Sequence, residues 1–306
     1  MSIDTPYLIH DVSPMTPSIL GKTGLRVSPI CIGTWQLAGP LTLDGKPDGH
    51  PDPGKAQVIR LIQALHDRGI NFIDTAEQYG NGEAERRTGE ALAGHREEWI
   101  ISTKFGYRVG PGNTRIDDAS PATILPSLEG SLKRLQTEVI DVFLYHCPPQ
   151  VEDLPEAKAI LDRAKAQGKI RFYGISTGNP ALARILAEHD MLDVLQFPTN
   201  LLAPNDAMRA LANEYQVGTQ VRGIMAEGRL SGKYQTHTPA WSPDDRRSQN
   251  PETFAVPAAT LQALPEGWTL DQLAVRWALD QPGHHSICLG AKTLEDYERA
   301  IAVKTP

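Results

Sequence analysis

The chain is 306 residues long, with 40% hydrophobic and 22% charged residues and a formal net charge of -7, enough apolar sequence for a large core. The charge is dispersed and no Lys/Arg block exceeds a pair, which argues against a nucleic-acid or acidic-membrane partner. No stretch reaches the roughly 18 apolar residues that span a bilayer, Asp4 and Asp11 stand where a secretory leader would be basic, and Cys31, Cys147 and Cys288 lack a CxxC pair, so a cytoplasmic protein with reduced thiols is expected.

Residues 1–17, with Pro6, Pro14 and Pro17, read as an extended or disordered lead-in to one domain spanning 18–306. Ser18-Ile19-Leu20 and Leu25-Arg26-Val27 around Gly21-Lys22-Thr23-Gly24 predict a β-hairpin. Pro29 to Gly33 is a short buried strand, and the Gly-, Pro- and Asp-rich residues 36–54 form a long loop suited to a substrate lid. The pattern then alternates: helix 56–68, strand 70–74, helix 83–93, strand 99–104, and a helix from Ser120-Pro121 to Leu135. Strand 139–146, helix 154–167, strand 170–176, helix 180–188, strand 194–197, helix 207–215 and strand 218–222 follow. Residues 228–268 are a second long loop, before helix 269–279, strand 286–289 and helix 294–302. Eight strands, each followed by a helix, predict a (β/α)8 TIM barrel with an N-terminal hairpin and long βα loops; the alternative is a doubly wound sheet, which the lack of a GxGxxG after the first strand disfavours.

In such a barrel the carboxyl ends of the strands build the site. Asp74, Lys104 and His146 end the second, third and fourth strands, and Tyr79 lies on the loop after the second. A lysine near a phenol lowers its pKa from about 10, Asp74 holds the ammonium, and His146 supplies a hydrogen bond to the same oxygen. This set suits polarising a carbonyl while a hydride arrives from elsewhere, without a metal. Each residue also has a plainer reading: a strand-end Asp caps turns, an exposed Tyr is an amphipathic surface residue, and Cys147 beside His146 would face the other side of its strand. A Schiff-base barrel with Lys104 as nucleophile would need a neutral lysine, which Asp74 opposes.

From about residue 18 onward the sequence resembles the aldo-keto reductases. The resemblance is carried by LGKTGLRVSPICIGTW, GINFIDTAEQYGNGEAERRTGEAL, ISTKFG, VIDVFLYHCPP, GKIRFYGIS, LQFPTNLL, GRLSGKY and LGAKTLEDYERA. It implies reduction of an aldehyde or ketone, or the reverse, with NADPH or NADH, and a catalytic tetrad of Asp74, Tyr79, Lys104 and His146 with Tyr79 as general acid/base. It further implies that Ser176 and Gln196 bind the carboxamide, with Thr177 where the family usually has asparagine, and that Arg222 lies under the nicotinamide where many members have an aromatic ring. Gly223, Met225, Gly228, Leu230, Lys233 and Gly290 extend the nucleotide site, and Lys292 and Thr293 match the pair that meets the adenosine 2'-phosphate or ribose. Asp296 stands where the family has glutamine or arginine, and Ala300 where it has asparagine, which implies relaxed cofactor choice or a bias to NAD(H) if Asp296 faces the ribose. Trp35, Tyr107, Trp241 and Trp268 are candidates for lining a substrate pocket. A nucleotide-binding regulatory or redox-sensing subunit with little turnover is the competing reading.

Overall fold

A computed structural model describes residues 16–234, 240–249 and 255–303, so most of the expected lead-in lies outside the described residues. The eight strands of the repeating pattern are β1 (Ile30–Gly33), β2 (Phe72–Asp74), β3 (Ile100–Phe105), β4 (Ile140–Tyr145), β5 (Ile170–Ser176), β6 (Val194–Pro198), β7 (Gly218–Arg222) and β8 (Ser286–Leu289). Each pairs in parallel with its sequence neighbours, and β8 returns to β1 with Ile287, Cys288 and Leu289 opposite Ile30, Cys31 and Ile32, closing the barrel. The doubly wound alternative is thereby excluded.

The helices after the strands are α1 (Lys55–His66), α2 (Glu83–Ala91), α3 (Pro121–Leu135), α4 (Leu154–Ala166), α5 (Pro180–Glu188), α6 (Asp206–Glu214), α7 (Leu270–Asp280) and α8 (Leu294–Ile301). Their boundaries follow local chemistry. Pro121 opens α3, whose interior Pro126 is solvent-exposed, and Thr269 with Gln272 forms a capping box on α7. None of these helices, among the described residues, is long and apolar enough to cross a membrane.

Side-chain alternation divides each strand between two cores. Ile73, Ile101, Phe105, Phe143, Tyr145 and Ile175 face outward into the helix layer, while Cys31, Phe72, Ile100, Val142, Leu144, Val194 and Cys288 share the barrel interior. The interior is closed below by the N-terminal hairpin, Ser18–Ile19 against Arg26–Val27, which adds Leu20, Leu25 and Val27 to the same cluster. Gly21 makes that seating possible: its φ is +52°, and a Cβ there would stand 2.2 Å from the Gly218 nitrogen. Gly21→Ala is therefore expected to cost at least about 2 kcal/mol, read as a lower urea midpoint at unchanged slope. An unmoved midpoint would show that the hairpin does not depend on this approach.

The two long loops are more ordered than the sequence reading expects. The β1–α1 connection holds a short helix, Trp35–Leu37, and a hairpin of Thr42–Leu43 with Lys46–Pro47. Asp44 and Gly45, at φ 51° and 74°, supply the left-handed pair such a tight turn demands. A further hairpin, Tyr107–Val109 with Arg115–Asp117, follows β3, and Arg115 N donates to Asp44 Oδ1 at 3.2 Å, so the two hairpins meet over the mouth. The β7–α7 segment contains short helical turns at Ala226–Ser231, Arg246–Gln249 and Ala258–Gln262.

Candidate active site

The alternation that fills the barrel also aims its last inward residues at the mouth. Two positions beyond Phe72 stands Asp74, four beyond Ile100 stands Lys104, and two beyond Leu144 stands His146. Lys104 is fully buried, and its Nζ donates to Asp74 Oδ2 at 2.7 Å, to the Thr75 carbonyl at 2.8 Å and to the Tyr79 hydroxyl at 3.2 Å. All three ammonium donors are thus placed, each on the second strand or the loop after it. Tyr79 reaches this point because its loop is pinned: Thr75 N donates to the Ser102 carbonyl and Glu77 N to that of Lys104, at 2.9 and 3.2 Å. Glu77 Oε1 in turn accepts from Gly106 N and Ser127 Oγ.

His146 meets the edge of the Tyr79 ring at 5.7 Å between centroids, and Tyr107 lies 4.9 Å from His146 on another side. Burial, together with the charges of Lys104, Arg222 and Arg115, holds the imidazole well below its ordinary pKa, so it is neutral at neutral pH. Burial opposes the charge on Lys104, but the Asp74 and Tyr79 fields outweigh it and raise the ammonium above its usual range. A neutral nucleophilic lysine is therefore disfavoured. The phenol departs from the sequence expectation: burial of Tyr79 raises its pKa above the ordinary value, and the Lys104 charge offsets only part of that.

Asp74 has partners the sequence reading does not anticipate. Gln196 Nε2 donates to Asp74 Oδ1 at 2.8 Å and to Gln220 Oε1 at 3.0 Å, while Ser176 Oγ donates to Gln196 Oε1 at 2.7 Å. Gln196 has no accessible surface, so Ser176 and Gln196, expected as a carboxamide pair, here form a buried brace behind the carboxylate. Asn179 is occupied in capping α5, and Thr177 Oγ1 accepts from Asn179 N.

A cavity of about 510 Å³ opens above these residues, a size suited to an extended organic ligand. Asp74, Tyr79, Trp35 and Arg222 line one part of it, and Lys233, Lys292, Thr293, Asp296 and Arg299 another; Gly223, Met225, Gly228 and Gly290 also line it. Of the remaining sequence candidates, Thr177 and Leu230 lie off this surface, Leu230 being fully buried. Tyr107 sits behind His146, Trp241 packs on Arg247 with the guanidinium carbon 3.8 Å from its ring centroid, and Trp268 packs against the outer core. Trp35 lies on the Tyr79 ring, with centroids 6.0 Å apart and planes at 23°.

His50, Arg246 and Arg247, which also line the cavity, carry no sequence signal because they come from the long loops. Arg246 N donates to the Gly49 carbonyl at 3.1 Å, Lys292 Nζ donates to that of Pro51 at 2.9 Å, and the Arg246 guanidinium covers Trp35. His50, buried against the edge of Trp35, places Nδ1 3.6 Å from the Asp245 carboxylate. The 36–54 and 245–249 segments therefore close over the cavity together. A wider depression of about 1150 Å³ lies at the opposite end of the barrel, but Asp141 there is already paired with Arg96 and Arg171.

Residues 29–304 match the family described as aldo/keto reductase, and the chain belongs to that family. It is 30% identical over 287 residues to aldo-keto reductase YhdN of Bacillus subtilis, covering 89% of this chain and 84% of that protein. An NADH-specific methylglyoxal reductase of Escherichia coli is 28% identical over 92% of this chain and 91% of its own length. Among solved structures, the glycerol dehydrogenase AKR11B4 of Gluconobacter oxydans superposes with a TM-score of 0.80 at 29% identity, covering 95% and 90% of the two chains. The chain is accordingly an oxidoreductase of a family that uses NAD(P)H.

The cavity fits such a nucleotide. Its glycines leave backbone open to close approach, and Lys233, Lys292 and Arg299 put cationic side chains on its wall, the donor type that phosphates require.

Proposed function

We propose that this chain reduces a small aldehyde or ketone to an alcohol, or runs the reverse reaction, with Tyr79 as the proton donor and acceptor. The observation that supports this most directly is the Lys104 ammonium, buried and held between Asp74 and the Tyr79 hydroxyl. When bound, the reduced nicotinamide supplies a hydride to the carbonyl carbon. Tyr79 gives its proton to the carbonyl oxygen and is left as a phenolate that Lys104 stabilises; neutral His146 donates a hydrogen bond towards the same oxygen. Asp74 keeps Lys104 charged, and the Gln196–Ser176 brace keeps Asp74 in place. Trp35, stacked on Tyr79, excludes water from one side. The buried unpaired thiols accord with a cytoplasmic protein.

Purified protein assayed with NADPH and with NADH against aldehydes, ketones and sugars tests the reading. Carbonyl-dependent loss of reduced nicotinamide absorbance is expected. Nucleotide binding without turnover of any carbonyl or alcohol would favour the regulatory reading.

Cofactor choice turns on Asp296. Its carboxylate accepts from Lys233 at 2.8 and 3.0 Å and is paired with Arg299, so it occupies two cations that a 2'-phosphate would otherwise take. Lys292 gives one N–H to the Pro51 carbonyl and keeps others for a phosphate, its pKa lowered chiefly by burial. Both nucleotides are therefore accepted, with a bias to NAD(H). Asp296→Gln should tighten NADPH binding by at least several-fold, measured by fluorescence titration, with the gain shrinking at high salt. A wild-type preference for NADPH above about 100-fold, near 2.7 kcal/mol, would show that Asp296 does not oppose the phosphate.

A further inference from the structure

Beneath the cavity, two cysteines lie side by side. Cys31 on β1 and Cys288 on β8 are in-register neighbours across the strand pair that closes the barrel, and both belong to its interior core. Adjacent strands stand about 4.8 Å apart, within the Cα separation a disulfide spans. Cys31 Sγ accepts from Gln220 Nε2 at 3.2 Å. Cys288 lines the cavity with 9% of its surface exposed, whereas Cys31 has none. Gly33 creates the space for Cys288: a Cβ on Gly33 would stand 3.0 Å from its sulfur. The sulfur lies 3.7 Å from Asp74 Oδ2, the same oxygen that receives Lys104.

We propose that Cys288 and Cys31 form a peroxide-sensitive dithiol site, with Cys288 the attacking sulfur and Cys31 the resolving one. The Cys288 sulfur attacks one oxygen of a hydroperoxide and gives up its proton to the departing oxygen. The O–O bond breaks, the sulfur becomes a sulfenic acid, and the departing oxygen leaves as water or an alcohol after taking a proton. Cys31 then attacks that sulfur, the S–S bond forms, the S–O bond breaks, and hydroxide leaves with the Cys31 proton as water. Two electrons pass from the thiols to the peroxide. Burial, the neighbouring sulfur and Asp74 raise the Cys31 thiol, so it is the slower of the two towards peroxide and loses its proton only as hydroxide departs in the second step. The disulfide removes the S–H donor from Asp74 and draws the sulfur away from its seat over Gly33, so turnover falls until a reductant restores it. The effect on turnover rests on the proposed reaction; the formation of the disulfide does not.

The test treats the full chain, alone and saturated with NADP, with hydrogen peroxide, alkylates free thiols in denaturant and maps the peptides by mass spectrometry. A Cys31–Cys288 link with Cys147 free is expected, forming at least five-fold more slowly with nucleotide bound, together with at least a five-fold loss of turnover that dithiothreitol reverses. In Cys31→Ser, Cys288 should advance to the sulfinic acid, and the loss relative to that variant's own starting rate should no longer reverse. Peroxide inactivation with Cys31 and Cys288 still free, or fully reversible inactivation of Cys31→Ser, would overturn the proposal. Because the peptide map needs no turnover, failure of the dithiol chemistry and failure of the reductase reading give separate results.

Discussion

Tyr79→Phe should lower carbonyl reduction by about 100- to 10,000-fold while leaving nucleotide affinity within a few-fold of wild type. The substitution removes only the hydroxyl. Its one hydrogen-bond partner among the described residues is Lys104 Nζ at 3.2 Å, so stability should change by no more than about 1 kcal/mol. The ring keeps its stacking on Trp35 and its edge contact with His146. The lost rate therefore reports the transferable proton and not a collapsed pocket. Single-turnover kinetics with a saturating aldehyde separate the two: a slowed hydride step at unchanged nucleotide binding is expected, and near wild-type turnover would remove Tyr79 from the reaction.

Much of this site is legible in sequence because strands have a period of two. Phe72 and Asp74, Ile100, Ser102 and Lys104, and Val142, Leu144 and His146 each show an apolar floor with a polar residue at the mouth end. The same parity puts Gln220 beside Arg222 on β7, and Asp44-Gly45 between Leu43 and Lys46 is a readable turn. What parity does not reveal is which polar residues turn to each other. Gln196 turns its amide to Asp74 and Gln220, a pairing that spacing alone does not name. The covering wall is less legible still. His50 and Asp245, Arg246 and Gly49, and Lys292 and Pro51 join loops with no period, and only closure of the barrel brings them together. The ordinary direction assigned to the phenol failed for a related reason: a sequence names the lysine nearby but not the depth of burial, and here burial dominates.

Lys104→Met separates the electrostatic role of the lysine from its packing role, because methionine keeps an unbranched apolar stem of similar length. Breaking a buried ion pair from one side costs about 3 to 5 kcal/mol, since Asp74 is left with Gln196 and the weak Cys288 donor. A lower urea midpoint is therefore expected for the single variant, and Asp74→Asn combined with Lys104→Met should recover much of it by removing the orphaned charge. The rate should not recover with it. Lys104 is the cation that pulls the Tyr79 pKa down against burial, so its loss raises the phenol further. Reduction needs the protonated phenol and fails as pH rises through that pKa; alcohol oxidation needs the phenolate and rises through the same value. Both limbs should therefore move to higher pH in Lys104→Met, and oxidation near neutrality should lose more than reduction, because the basic form becomes the scarcer one. Restored stability in the double variant with both limbs still displaced would place the lysine's contribution in the proton transfer. Unmoved limbs, with a lowered rate alone, would show that Lys104 only holds the loop that carries Tyr79.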